Sequence, residues 1–73
     1  MTPEERIKLT IGSVNDRIRE AEDESAKLVE VLKSQRAGAI RTELAREDGA
    51  SARAIGKVLG VSHTAVNDWR DAK

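Results

Sequence analysis

The sequence predicts an all-α protein, with a long N-terminal helix followed by a module of three shorter helices. Three observations support this fold class. Ala, Glu, Arg, Lys and Leu dominate the composition and only one residue is aromatic, a mixture that favours helices over strands. Apolar or small residues recur in alternating steps of four and three from Ile7 to Leu32, which is a helical period. Beyond Asp48, glycines and serines divide the chain into short helical segments.

The composition also excludes several classes of protein. The 73 residues allow one small domain with a thin core, for which oligomerisation is a common remedy. The chain has no cysteine, and therefore neither a disulfide framework nor a thiolate metal site. No apolar run approaches the roughly 20 residues of a membrane span, and the charged N-terminus is unlike a signal peptide. We expect a cytoplasmic protein that is not an enzyme and has no cofactor, metal or small-molecule substrate.

The charge is unevenly distributed although the net charge is zero. Residues 1–35 hold six Lys/Arg and eight Asp/Glu, a net charge of −2, whereas residues 36–73 hold seven and five, a net charge of +2. A positive C-terminal part favours contact with nucleic acid. Ordinary surface charge explains the same distribution equally well.

The N-terminal pattern predicts a coiled coil over residues 1–35, which we take as a dimerisation segment. TPEE at residues 2–5 is a helix start of the capping-box type. The 3.5-residue apolar period that follows is typical of a coiled coil, and isoleucine at its a positions favours a parallel dimer. Val29 and Val31 widen the apolar stripe and predict a further packing partner near Leu28. The predicted dimer interface consists of Ile7, Ile11, Val14, Ile18, Ala21, Leu28 and Leu32.

Two features of this segment leave an alternative open. Ser25 is a polar member of the seam, and Gly12 lowers helix stability by about 1 kcal/mol relative to alanine. GSVND at residues 12–16 is also typical of a helix stop followed by a new start. In the alternative, the first turns form a separate short helix, or the N-terminal helix packs within its own chain.

Residues 36–73 are predicted to form a second unit of three helices. The first extends from about residue 36 to residue 47, the second covers residues 52–59, and the third runs from residue 63 to about residue 72. Ser51 and Ser62 are the predicted N-caps. Gly60 is predicted to end the middle helix in the left-handed conformation. Val66 and Trp69, three residues apart, are predicted to face inward.

The segment ARAIGKVLGVSHTAVNDWRD, residues 52–71, resembles the helix-turn-helix of bacterial and phage DNA-binding proteins. Two short helices joined by a glycine-containing turn of three to four residues characterise that motif. The family pattern has a small residue in the first helix, glycine at the turn, an apolar residue after it and Val or Ile in the second helix. Gly56, Gly60, Val61 and Val66 occupy these places, although the family usually has alanine where this chain has Gly56. The resemblance covers 20 of 73 residues, and the sequence is similar to short actinobacterial or phage-type regulators.

The resemblance implies that the partner is double-stranded DNA, with the second helix in the major groove. Asn67 has the amide group for a bidentate pair with adenine, and Thr64 has a methyl group for thymine. The implied base contacts are His63, Thr64, Asn67 and Asp68. The implied contacts to the DNA backbone are Ser62, Arg53, Lys57, Arg70 and Lys73.

The functional prediction is therefore a dimeric, sequence-specific transcriptional or phage-type regulator, associated with the bacterial nucleoid. A DNA-architecture factor in recombination or partition would use the same residues. An alternative from another class is a protein-interaction or assembly adaptor in which the helix-turn-helix is structural. The zero net charge favours this adaptor, and so do the five acidic residues among residues 36–73, because carboxylates repel phosphates.

Overall fold

The computed structural model describes residues 1–72, and every regular element in that range is a helix. The elements are α1 (Pro3–Ile7), a π-helical turn (Lys8–Gly12), α2 (Ser13–Glu22), α3 (Ala26–Ala45), α4 (Ala52–Leu59) and α5 (His63–Arg70). The predicted all-α class is confirmed. No helix among these residues is long and apolar enough to cross a membrane.

The first helix begins as predicted and continues through Gly12. The Thr2 side chain accepts a hydrogen bond from the Glu5 amide at 3.1 Å, and Pro3 occupies the first helical turn. Gly12 keeps helical backbone angles, φ −62° and ψ −41°. The stop considered at residues 12–16 is therefore absent. Instead, the π-helical turn joins α1 to α2 without a break and locally widens the helix.

The single long helix predicted over residues 1–35 is not present, because helical conformation ends at Glu22 and resumes at Ala26. Ser25 is extended, with φ −160° and ψ 121°, and its hydroxyl accepts from the Leu28 amide at 3.3 Å. A serine in this conformation satisfies a free amide of the following helix and so starts it. The residue that we expected in the coiled-coil seam is therefore the N-cap of α3, and α2 and α3 form a helical hairpin.

Two apolar clusters contain most of the side chains that we assigned to a dimer interface. The main core consists of Ile7, Ile11, Ile40, Ile55 and Val66. The hairpin core consists of Ile18, Ala21, Val29 and Leu32, with Val14 packed against it. Within a single chain, Ile7, Ile11, Ile18, Ala21 and Leu32 are at most 3% exposed. In this fold they are not available for a coiled-coil seam, and Leu28 is the exposed member of the set. The structure thus agrees with the alternative expectation, in which the N-terminal helical segment packs within its own chain.

Helix α3 contributes to both cores, so the boundary that we predicted between residues 35 and 36 falls inside one helix. Leu32 belongs to the hairpin core and Ile40 to the main core. Arg36 lies between them and is also buried. Its guanidinium donates to Asn15 Oδ1 of α2 at 2.8 Å and lies 4.0 Å from the centre of the Trp69 ring in α5. Because this one side chain contacts α2 and α5 from α3, it joins the hairpin to the C-terminal helices.

An ion pair between the partly buried Arg6 and the buried Glu43 holds α1 against the other half of α3. Arg6 Nε donates to the two carboxylate oxygens of Glu43 at 2.9 and 3.2 Å, and the Glu43 side chain is only 4% exposed. Arg6 also donates to the carbonyl oxygen of Asp48 at 3.3 Å, in the loop before α4. The hydrogen bond to Glu43 raises the pKa of the Arg6 guanidinium. The arginine thus links three parts of the chain around one buried carboxylate.

Replacing Arg6 alone should destabilise the protein more than removing both charges. In Arg6→Met, the Glu43 carboxylate stays buried without its main partner, an arrangement that costs more than a pair of apolar side chains of similar size. We expect a clearly lower Tm for Arg6→Met and a recovery in the double variant Arg6→Met with Glu43→Leu, measured by circular dichroism at pH 7.

The matched control is Lys8→Met, because Lys8 pairs with Glu4 at 3.3 Å while both side chains are about 60% exposed. An exposed pair of this kind contributes little, and we expect almost no change in Tm. An Arg6→Met variant as stable as Lys8→Met, or a double variant less stable than Arg6→Met, would contradict the assigned role of the ion pair.

Candidate nucleic-acid interface

Helices α4 and α5 are joined by a short turn whose predicted signals are confirmed. The hydroxyl of Ser51 accepts from the Ala54 amide at 3.2 Å, and that of Ser62 accepts from the Ala65 amide at 3.1 Å. Both serines are therefore N-caps. Gly60 ends α4 in the left-handed region with φ 73° and ψ 30°. Other residues adopt this conformation at a cost, so the position favours glycine.

The turn lies directly against Gly56 in the middle of α4. The Val61 amide donates to the Gly56 carbonyl at 2.8 Å. A Cβ atom at residue 56 would lie 2.5 Å from the Val61 carbonyl oxygen and 3.3 Å from the Ser62 carbonyl carbon. The close approach expected at this position is confirmed, but it is made by the turn and leaves no room even for the alanine usual in the resembling family. Gly56 thus sets the distance between α4 and the start of α5.

The inward face of α5 packs on the main core. Val66 is fully buried within it. Trp69 is partly buried and packs against the same cluster, with the Arg36 guanidinium over its ring. The prediction that Val66 and Trp69 face inward is confirmed. These contacts decide which side of α5 remains in solvent.

The four residues predicted to contact bases share the opposite face of α5. His63, Thr64 and Asp68 are exposed, and Asn67 is partly buried. At about 100° per residue, the four positions span an arc of about 140° on the helix surface. The structure therefore brings the predicted polar side chains together on one face. It does so next to the N-cap Ser62, at the end of α5 where free amides and the helix dipole favour an anion.

The cations predicted to contact the DNA backbone differ in whether they already form an ion pair within the chain. Arg53 and Lys57 are exposed, one turn apart on α4, and neither forms an ion pair with another residue of the 1–72 range. Arg70 pairs with Asp71 at 3.2 Å, which weakens the case for a phosphate contact. Lys73 lies outside the described residues. The charge available on this surface is thus mainly that of Arg53 and Lys57.

Other charged residues near this surface were not singled out from the sequence. A polar groove beside the C-terminal end of α4 is lined by Lys8, Gly12, Asn15, Asp16, Arg19, Val58 and Leu59.

Arg36 was also not identified from the sequence, although it follows Leu32 by four residues and precedes Ile40 by four on one face of α3. This spacing places Arg36 on the buried face of α3 and was the signal in the sequence that could have identified it. Burial lowers the pKa of the Arg36 guanidinium, an effect that the nearby Glu22 carboxylate partly offsets.

Comparisons with protein families, curated proteins and solved structures found no match to this chain. The resemblance to helix-turn-helix proteins therefore rests on the residues and geometry given above. Within residues 1–72, no three His, Cys, Asp or Glu side chains form a group able to hold a metal ion.

Gly56→Ala should destabilise the protein although alanine is the better helix former. Alanine normally stabilises a helix interior by roughly 1 kcal/mol relative to glycine. At residue 56, however, the new methyl group would press on the backbone of Val61 and Ser62. We expect a lower midpoint of urea unfolding, followed by circular dichroism.

Gly38→Ala in α3 is the matched control, because no atom lies within 4 Å of a Cβ atom built there. This variant should gain roughly 0.5–1 kcal/mol. If Gly56→Ala were stabilised as much as Gly38→Ala, the close approach of the turn to α4 would not be a constraint on the fold.

Proposed function

We propose that the protein binds double-stranded DNA through α4 and α5, with α5 in the major groove. The observation that carries the proposal is the shared outward face of His63, Thr64, Asn67 and Asp68, of which only Asn67 is partly buried, on a helix whose other face is buried. In helix-turn-helix complexes, the N-terminal residues of the second helix contact base edges. Amide and hydroxyl side chains at these positions have the donors and acceptors that distinguish base pairs in the major groove.

The backbone contacts in this proposal come from α4 and from the start of α5. Arg53 and Lys57 are free exposed cations, and the first amides of α5 near Ser62 are suited to a phosphate oxygen. Two cations give only modest affinity, and Asp68 repels phosphates. Recognition would thus depend on base contacts more than on overall charge, in agreement with the zero net charge of the chain.

A module with so few cations binds DNA more tightly when two copies act together, and the proposed active form is therefore a homodimer. Two linked modules bind with an effective concentration that raises the overall affinity without any new contact. Two-fold symmetry then predicts inverted half-sites separated by about one helical turn or a multiple of it. We propose a transcriptional or phage-type regulator that acts on the nucleoid in the bacterial cytoplasm.

Replacing Thr64 and Asn67 together by alanine should remove sequence preference and leave the fold intact. Each lost base contact is worth roughly 1–3 kcal/mol of discrimination. The measurement is selection of bound sequences from a random pool of duplex DNA at about 50 mM salt, where electrostatic attraction is strong. We expect the wild type to enrich a defined sequence and the double variant to enrich none.

The matched control replaces an amide and a threonine on α3, Gln35→Ala with Thr42→Ala, which are both exposed. This variant should enrich the same sequence as the wild type. Absence of any DNA binding by the wild type at low salt would contradict the proposal and favour the protein-interaction adaptor. An unchanged preference in the Thr64 and Asn67 variant would show that another surface contacts the bases.

The salt dependence of binding should identify the backbone contacts separately. Removing one phosphate contact lowers the slope of log K against log salt by about 1, while sequence preference stays the same. We expect this change for Arg53→Ala and for Lys57→Ala in titrations of a fixed duplex. Arg17→Ala, which removes an exposed cation from α2, should leave the slope unaltered. A slope that responds to Arg17 and not to Arg53 or Lys57 would move the phosphate contacts to the hairpin.

A further inference from the structure

Two exposed apolar side chains on α3 lie next to each other and outside both cores. Leu28 is 40% exposed and Val31 is 50% exposed, and they are one turn apart on the same face of the helix. Leu32 and Val29, on the neighbouring face, are buried in the hairpin core. Leu28 and Val31 therefore form a small apolar patch on the solvent side of the helical hairpin.

The opposite charges beside this patch match the same two residues in a second copy of the chain. Lys27 and Glu30 are exposed and three residues apart on one flank of the patch. Within the described residues, neither takes part in an ion pair. If two α3 helices cross antiparallel, Leu28 of each copy meets Val31 of the other, and Lys27 of each copy comes close to Glu30 of the other. A two-fold interface repeats every such contact twice.

We propose that the Leu28–Val31 patch is the surface through which two copies of this chain associate, with their α3 helices antiparallel. The occupant is a second copy because the patch offers both an apolar centre and a pair of opposite charges in the order that an antiparallel copy requires. This inference rests on the dimeric form of the proposed function, but it does not depend on DNA contact.

The interface is small, so the free protein forms a weak dimer. One turn of two crossing helices buries less area than the roughly 1,200 Å² of a stable complex, and we expect a dimer Kd of roughly 100 µM. Binding of two modules to neighbouring half-sites would raise the local concentration of each copy and favour the dimer on DNA.

Sedimentation equilibrium over about 10 µM to 1 mM protein spans the expected Kd and tests this interface. The variant Leu28→Asp with Val31→Asp places four carboxylates at the centre of the dimer and should be monomeric throughout. Leu9→Asp is the matched control, because Leu9 is 62% exposed and lies on the π-helical turn, away from the patch. It should dimerise like the wild type, and circular dichroism should show that both variants are folded.

A charge exchange tests the antiparallel arrangement. Lys27→Glu places two glutamates together at each end of the patch and should raise the Kd roughly tenfold, since like charges at an interface are unfavourable. Adding Glu30→Lys restores opposite charges with their positions swapped and should bring the Kd back towards the wild-type value.

A wild type that is monomeric at the highest concentration would overturn the proposed interface. A dimer that persists in the Leu28 and Val31 variant would do the same. Failure of the double charge exchange to restore the Kd would overturn the antiparallel arrangement. None of these results bears on the DNA selection with Thr64 and Asn67, so failure of the dimer surface and failure of DNA recognition are distinguishable.

Discussion

The position of every other helix depends on one buried face of α3. The hairpin core lies at its N-terminal end, and the main core lies nearer its C-terminal end. Helices α2 and α5 and the π-helical turn all pack directly on α3, while α4 is held by α5 and α1. Arg36 stands where the two cores meet. Burying a guanidinium is unfavourable unless it is compensated. Here Asn15 and the Trp69 ring supply part of the compensation, while Nε of Arg36 is buried without a hydrogen-bond partner among the described residues.

This arrangement explains how a chain of 73 residues with a single aromatic side chain presents α5 in a defined orientation. Val66 and Trp69 attach α5 to the main core and to Arg36. At the other end of the helix, the contact of the turn with Gly56 sets the start of α5 against α4. Because packing contacts hold α5 at both ends, its outward face has a fixed orientation in the free protein. A preformed face loses little conformational entropy on binding.

The local signals in the sequence predicted the C-terminal half well. Ser51, Gly60 and Ser62 act through hydrogen bonds and backbone angles within a few residues, so their roles do not depend on distant contacts. Val66 and Trp69 followed from helical spacing. The family pattern also indicated the close approach at Gly56, although the sequence alone did not show that even alanine is too large there.

The fold of the N-terminal half was harder to predict from the sequence. A heptad pattern does not show whether its apolar stripe packs within the same chain or against a second chain. Two helices that fold back on each other bury the same positions as two helices from different chains. Ser25 is the decisive residue, because its polarity weakens a coiled-coil seam and equally suits a helix start, and in the fold it is the N-cap of α3. The buried roles of Arg36 and Glu43 depend on groups far away in the chain, Asn15 and Arg6, which no local pattern connects to them.

We propose that the outward face of α5, with the adjoining residues of α4, contacts DNA. Two-dimensional ¹H–¹⁵N NMR of the protein during titration with duplex DNA at low salt would locate this contact, because each amide reports on its own surroundings. We expect the largest shift changes at residues 62–68 and at Arg53 and Lys57, with small changes in α2. Absence of shift changes, or changes concentrated in the hairpin of α2 and α3, would contradict it.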